Sequence, residues 1–131
     1  MEKLVNDLLT SKYTSVFHED KENIEFNAPH NFVVRPSIGY LKSIGNTDNP
    51  EDIMLSVVNF QKGPIKENGV NGVANEDLIC MVLARLESFQ KSEYKCLENE
   101  MAIQKLTESL LWLRKRTMGR ENRGVEGTNE I

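Results

Sequence analysis

Residues 75–118, NEDLICMVLARLESFQKSEYKCLENEMAIQKLTESLLWLRKRTM, decide the fold. In the first part Leu78, Ile79, Val82, Leu83, Leu86 and Phe89 return every three or four residues, one broad apolar stripe of a packed helix. Asn75 is its expected N-cap, and it should end near Lys91. Ser92 is the expected cap of a second helix, whose stripe is Ile103, Leu106, Leu110 and Leu113, continued by Thr117 to about Met118. So short a connection makes the two helices antiparallel neighbours. Trp112 lies roughly 100° around the second helix from that stripe, at 100° per residue. Its indole needs cover, from a β layer or from another subunit. Asn99 extends the stripe toward the hairpin turn, where by spacing alone a structural amide is the first reading.

Working outward, charge changes sign at the end of the second helix. Between Ala102 and Gly124 lie Lys105, Arg114, Lys115, Arg116, Arg120 and Arg123 against Glu108 and Glu121, on a chain of net charge −4. Guanidinium groups collected there suit a compact anion, because their fork pairs bidentately with phosphate or carboxylate. On charge alone, a solvated basic helix terminus that favours the dipole is the preferred reading. Upstream, GPIKENGVNGVAN (63–75) is a Gly-rich linker. It lacks the Lys-Ser/Thr of a phosphate loop, and Glu76 and Asp77 would repel an anion at that helix start.

The first 61 residues have a different texture. NFVVR, SIGYLKSI and IMLSVVNF are short β-rich runs separated by Pro36, GNTDNP and KGP, which predicts three or four antiparallel strands. The last run also fits a short helix begun by Pro50, Glu51 and Asp52. Leu4, Val5, Leu8 and Leu9 predict an N-terminal helix, and Tyr13–Asn23 reads as irregular. The expected class is α+β: a small antiparallel β region followed by a C-terminal antiparallel helical hairpin. The expected segments are 1–22 N-terminal helix and extension, 23–61 β region, 62–74 linker, 75–118 hairpin and 119–131 basic-to-polar tail, one compact domain of 131 residues.

Function classes narrow quickly. A chain this acidic is a poor general binder of DNA or RNA. No run has membrane length, and the first ten residues do not read as a signal peptide. Cys80 and Cys96 are isolated and read as helical residues in a reducing compartment, with no metal expected. His18 and His30 have no nucleophile partner, and no GxSxG or HExxH occurs. The inventory reads as a binder, not an enzyme, with no cofactor.

The run GVNGVANEDL, the pair Phe89-Gln90 and WLRKRT resemble the helical-hairpin family of phage anti-defence proteins, the Thoeris anti-defence and anti-CBASS nucleotide sponges. The resemblance covers roughly residues 60–128, and the β region preceding the hairpin brings it nearest the Thoeris type. It implies sequestration, in the host cytoplasm, of a cyclic ADP-ribose isomer or a cyclic oligonucleotide, held without cleavage. It places Phe89 against the base, Asn99 on a polar edge and Arg116 on phosphate, with Lys66, Thr117 and Arg120 as further candidates. Such proteins assemble up to hexamers. Asn99 and Arg116 lie seventeen residues apart, roughly 26 Å along a helix, so a ligand using both must sit between protomers of a dimer-based homo-oligomer. The competing reading is an oligomerising hairpin adaptor with no small-molecule ligand.

Overall fold

Alternation in TSVFH and NFVVRP puts every second side chain on one face, and these runs form the centre of a sheet. The computed structural model describes all residues, Met1–Ile131, in two compact units, Met1–Lys62 and Gly63–Ile131. The class is α+β: the first unit carries the sheet and the second the helical hairpin.

In the first unit β1 (Glu2–Lys3), β2 (Thr14–His18), β3 (Asn31–Pro36) and β4 (Ser56–Asn59) follow one another as an antiparallel meander. Register pairs Lys3 with Phe17, Ser15 with Arg35, and Phe17 with Val33. Lys3, Ser15, Phe17, Val33 and Arg35 therefore share one face. The other face stacks Phe32 between the His18 ring, 5.8 Å away, and the Phe60 ring, 5.6 Å away. Val33 and Leu41 are the buried apolar residues of this unit.

Three expectations are corrected here. The N-terminal helix does not form: Asn6 Oδ1 accepts from Leu8 N at 2.9 Å and Thr10 Oγ1 from Lys12 N at 3.4 Å. These side chains turn the backbone locally in place of a helical ladder, and Leu8 is left 93% exposed. The stretch expected to be irregular supplies β2, because Thr14–His18 alternates and pairs with β3 along its whole length. SIGYLKSI is not a strand but α1 (Ile38–Ser43). Ser37 caps it, accepting from Tyr40 N at 3.3 Å while its hydroxyl donates to Lys12 O at 2.9 Å, and capping overrides β propensity. Of the two readings left open for IMLSVVNF, the strand is the one formed; Pro50–Asp52 makes a separate 3₁₀ turn.

The second unit begins with the one-turn α2 (Ile65–Asn68), ended by Gly69 at φ +69°, inside the expected linker. The hairpin is α3 (Asn75–Gln90) and α4 (Leu97–Asn122). Its caps differ from expectation. Ala74 precedes α3, its N–H held by the Asp77 carboxylate at 2.9 Å, and Cys96 precedes α4, its Sγ accepting from Asn99 N at 3.4 Å. Ser92 instead folds the connection, donating to Phe89 O at 2.6 Å and accepting from Tyr94 N at 3.1 Å. Leu78, Ile79, Leu83, Leu86 and Phe89 on α3 and Asn99, Ile103, Leu106, Leu110, Leu113 and Thr117 on α4 are sheltered, whereas Val82, expected in the stripe, is exposed. α4 passes Met118 to reach Asn122, so the tail begins later than expected. Neither helix is long and apolar enough to cross a membrane.

Glu19 ties the long β2–β3 connection shut at its base. Its carboxylate accepts from the backbone N–H of His30 at 3.2 Å and of Asn31 at 3.1 Å. Burial pushes this carboxyl up, but those N–H groups, its own N–H and the His30 imidazole together pull it below its ordinary value. The folded carboxyl is then more acidic than the unfolded one. Its stabilisation is full above the unfolded value of 4.5 and fades as pH falls through the lower folded value. Amide exchange at His30 and Asn31 should accelerate, relative to the rest of the sheet, as pH drops below about 4.5. Glu19→Gln should abolish that dependence; identical pH profiles for the two proteins would refute the assignment.

Candidate functional site

Two ends of α4 carry the polar side chains that sequence reasoning singled out. At the hairpin tip, Gln90 spans the turn like a staple: its Oε1 accepts from Cys96 N and its Nε2 donates to Cys96 O, each at 3.0 Å. This fixes Phe89 at the end of α3 relative to Asn99 in the first turn of α4. The Phe89 ring meets Tyr94 edge-on at 6.5 Å, and the Arg85 guanidinium lies 5.1 Å from its centroid. Asn99 is half-buried, yet its side-chain amide makes no hydrogen bond within the chain. The role of tying the turn falls to Gln90, which leaves Asn99 with both donor and acceptor to offer.

At the opposite end the basic residues sort into occupied and unoccupied cations. Arg114 pairs with Glu121 at 3.2 Å on the surface, where such pairs contribute little. The Lys115 ammonium sits 5.0 Å over the Trp112 ring. Arg120 is engaged through both Nη atoms, its guanidinium donating to the carbonyls of Glu130 at 2.7 Å, Thr128 at 3.0 Å and Val125 at 3.1 Å. The chain after α4 is thereby folded back, and Gly127 O accepts from Lys66 N at 3.0 Å. Gly127 has φ +76°, and a side chain there would press on the Lys66 stem, so this glycine permits the close approach. Thr117 spends its hydroxyl on Leu113 O at 3.2 Å. Arg116 is exposed and its guanidinium has no partner in the chain.

The structure therefore places Phe89 and Asn99 on either side of the hairpin turn, at the tip. Lys66 is linked through the tail to Arg120, near Arg116 and Thr117 in sequence, at the other end. It does not bring the two groups together within one chain: seventeen helical positions separate Asn99 from Arg116, about 26 Å at 1.5 Å per residue. Chemically, the tip offers an aromatic face and an amide edge, and the base offers free guanidinium charge. His18 and His30 lie in the first unit, each with a ring nitrogen 2.8 Å from a backbone carbonyl.

Sequence reasoning missed the Gln90 staple and the Arg120 latch. The first was signalled only by Gln90 standing where a helix ends beside a tight turn. The second had no signal, since nothing in RENRGVEGT marks which carbonyls a guanidinium will meet. Trp112, which needed cover, is 61% exposed. With it, Leu97, Met101, Leu111 and Met118 leave an apolar stripe along the outer side of α4.

Comparison with known proteins agrees with this architecture. The Acb2/Tad1 hairpin domain family matches residues 55–118. The chain is also similar to Thoeris anti-defense 1 of Bacillus phage SBSphiJ7, 52% identical across 99% of both chains. If the latch is as described, Arg120→Gln frees residues 124–131. Amide exchange at Lys66 and Thr128 should then rise at least tenfold while the Leu106–Leu113 stretch stays protected. Unchanged protection at Lys66 would contradict it.

Proposed function

This chain belongs to the phage Thoeris anti-defence family that carries the Acb2/Tad1 hairpin domain, and from that membership we propose that it is a sponge. In this reading it binds a cyclic nucleotide immune messenger in the host cytoplasm and withholds it from the immune effector. The messenger is a cyclic ADP-ribose isomer in the first instance, with cyclic oligonucleotides as the related class. Holding it intact suffices, so no catalytic step is assigned.

One observation carries the reading. Asn99 and Arg116, an amide and a guanidinium with no partner in the chain, stand about 26 Å apart on one helix. A ligand of this class is on the order of 10 Å across, the scale of an ordinary small-molecule pocket. A site using both must form between protomers, with the tip of one hairpin meeting the basic end of another. A two-fold pair makes two such sites. The apolar outer stripe supports association: Leu97, Met101, Leu111, Trp112 and Met118 are the kind of surface that aromatic-rich interfaces cover. So does the core, in which no side chain is fully buried. Dimers of this kind can build larger assemblies, up to a hexamer.

In the composite site Phe89 stacks on the base, Asn99 reads a base edge or ribose hydroxyl, and Arg116 pairs with pyrophosphate oxygens. Thr117, Lys66 and Arg120 are supporting candidates at the phosphate end. Arg120 could serve only by exchanging tail carbonyls for ligand oxygens. Nanomolar capture needs about −12 kcal/mol, and a pocket preformed by rigid helices limits the ordering cost.

The outer stripe serves an adaptor without a ligand equally well, and binding separates the two. Calorimetry against glycocyclic ADP-ribose isomers, linear ADP-ribose and cyclic di- and trinucleotides should find a tight ligand that is released chemically intact on heat denaturation. Arg116→Ala and Asn99→Ala should each weaken it roughly 10- to 100-fold, the worth of a charge-assisted or buried hydrogen bond, with sedimentation unchanged. Full affinity in Arg116→Ala refutes the site; no ligand at all favours the adaptor.

A further inference from the structure

The sheet unit has a cavity of its own. About 590 Å³ in volume, it lies over the sheet face that carries Lys3, Ser15, Phe17 and Arg35, and it is walled by Ile38 and Glu51 among others. That volume is in the range of small-molecule sites. Three observations set it apart from a surface dent. Ser15 is only 6% exposed and lines the cavity, yet its hydroxyl makes no hydrogen bond within the chain and opens onto that space. The oxygen is reached from the cavity rather than sealed away from solvent, so a ligand there would replace water as its partner. Second, Arg35 is anchored by one nitrogen alone: Nη1 donates to Glu51 O at 2.5 Å, Ile53 O at 3.3 Å and Pro50 O at 3.5 Å. Its Nη2 and Nε donate to nothing in the chain, which leaves a preoriented guanidinium edge. Third, Lys3 has no ion pair and lies two strands from Arg35 on the same face, two residues out of register with it, so their backbone positions are roughly 12 Å apart at a strand spacing near 4.8 Å.

The lining therefore combines Lys3, Arg35 and the Ser15 hydroxyl with Phe17 and Ile38, and Glu51 is a further lining residue. Cations with a free donor fork favour phosphate; the Phe17 ring and Ile38 favour a flat apolar portion; the carboxylate can accept from sugar hydroxyls. We propose that this cavity is a second ligand site, separate from the hairpin, for a nucleoside monophosphate or a phosphorylated ring of that size. It stands whether or not the hairpin captures a messenger, because every group it uses belongs to the first unit.

Titration of the ¹⁵N-labelled full chain with adenosine monophosphate tests it, with adenosine and inorganic phosphate as controls. Amide shifts are expected at Lys3, Ser15, Phe17 and Arg35. Affinity should fall roughly fivefold in Ser15→Ala and in Lys3→Gln, about one hydrogen bond each. Lys3 is exposed on an edge strand, so that variant reports on binding even if Ser15→Ala perturbs the sheet. Arg116→Ala should leave these shifts unchanged. Equal binding of adenosine, shifts confined to hairpin amides, or unchanged affinity in both sheet variants would overturn the proposal.

Discussion

A single uninterrupted helix sets the terms for this protein. α4 runs twenty-six residues from Leu97 to Asn122, and a helix cannot bend back on itself to bring its ends together. Its register against α3 is fixed at one end by the Gln90–Cys96 amide staple and along its length by the sheltered Leu and Ile positions. Asn99 and Arg116 are consequently held apart at a distance no small ligand spans. Rigidity that would defeat a site within one protomer favours one between protomers, because each partner presents its half already in place.

The hairpin was legible because its signal is dense. Six apolar residues in α3 and four in α4 repeat at helical spacing, and burial of that stripe is the dominant local force. The ends of the helices were less legible, since each depends on one short contact: Asp77 rather than Asn75 settles the start of α3, and Cys96 rather than Ser92 that of α4. The first unit was harder still. Leu4, Val5, Leu8 and Leu9 have helical spacing, but Asn6 and Thr10 spend their side chains on nearby backbone and the helix never nucleates. At Ser37 the same kind of interaction acts in the other direction and starts a helix in a β-rich run.

The candidate site shows a similar division. That cations gather near the end of α4 is plain from composition; which of them remain available is not. Arg114, Lys115 and Arg120 are occupied by Glu121, Trp112 and the tail carbonyls, whereas Arg116, like Lys105 and Arg123, has no side-chain partner. A short anionic tail would have paired with the same residues, so only three-dimensional arrangement separates latch from ligand contact. Likewise Asn99, by spacing a structural amide, is released from that role because Gln90 holds the turn in its place. In the sheet, Arg35 looked like one polar residue in a β run; its carbonyl anchors come from a 3₁₀ turn fifteen and more residues downstream.

The central claim is that each messenger site is shared, taking Asn99 from one protomer and Arg116 from another. Mixing the Asn99→Ala and Arg116→Ala proteins, after subunit exchange, tests it most directly. In a mixed pair one composite site lacks both residues and the other is complete. Calorimetry should recover tight binding, absent from either variant alone, at about one ligand per mixed pair. No recovery in verified mixed oligomers would place the two residues in one protomer's site, or in none, and would contradict the account.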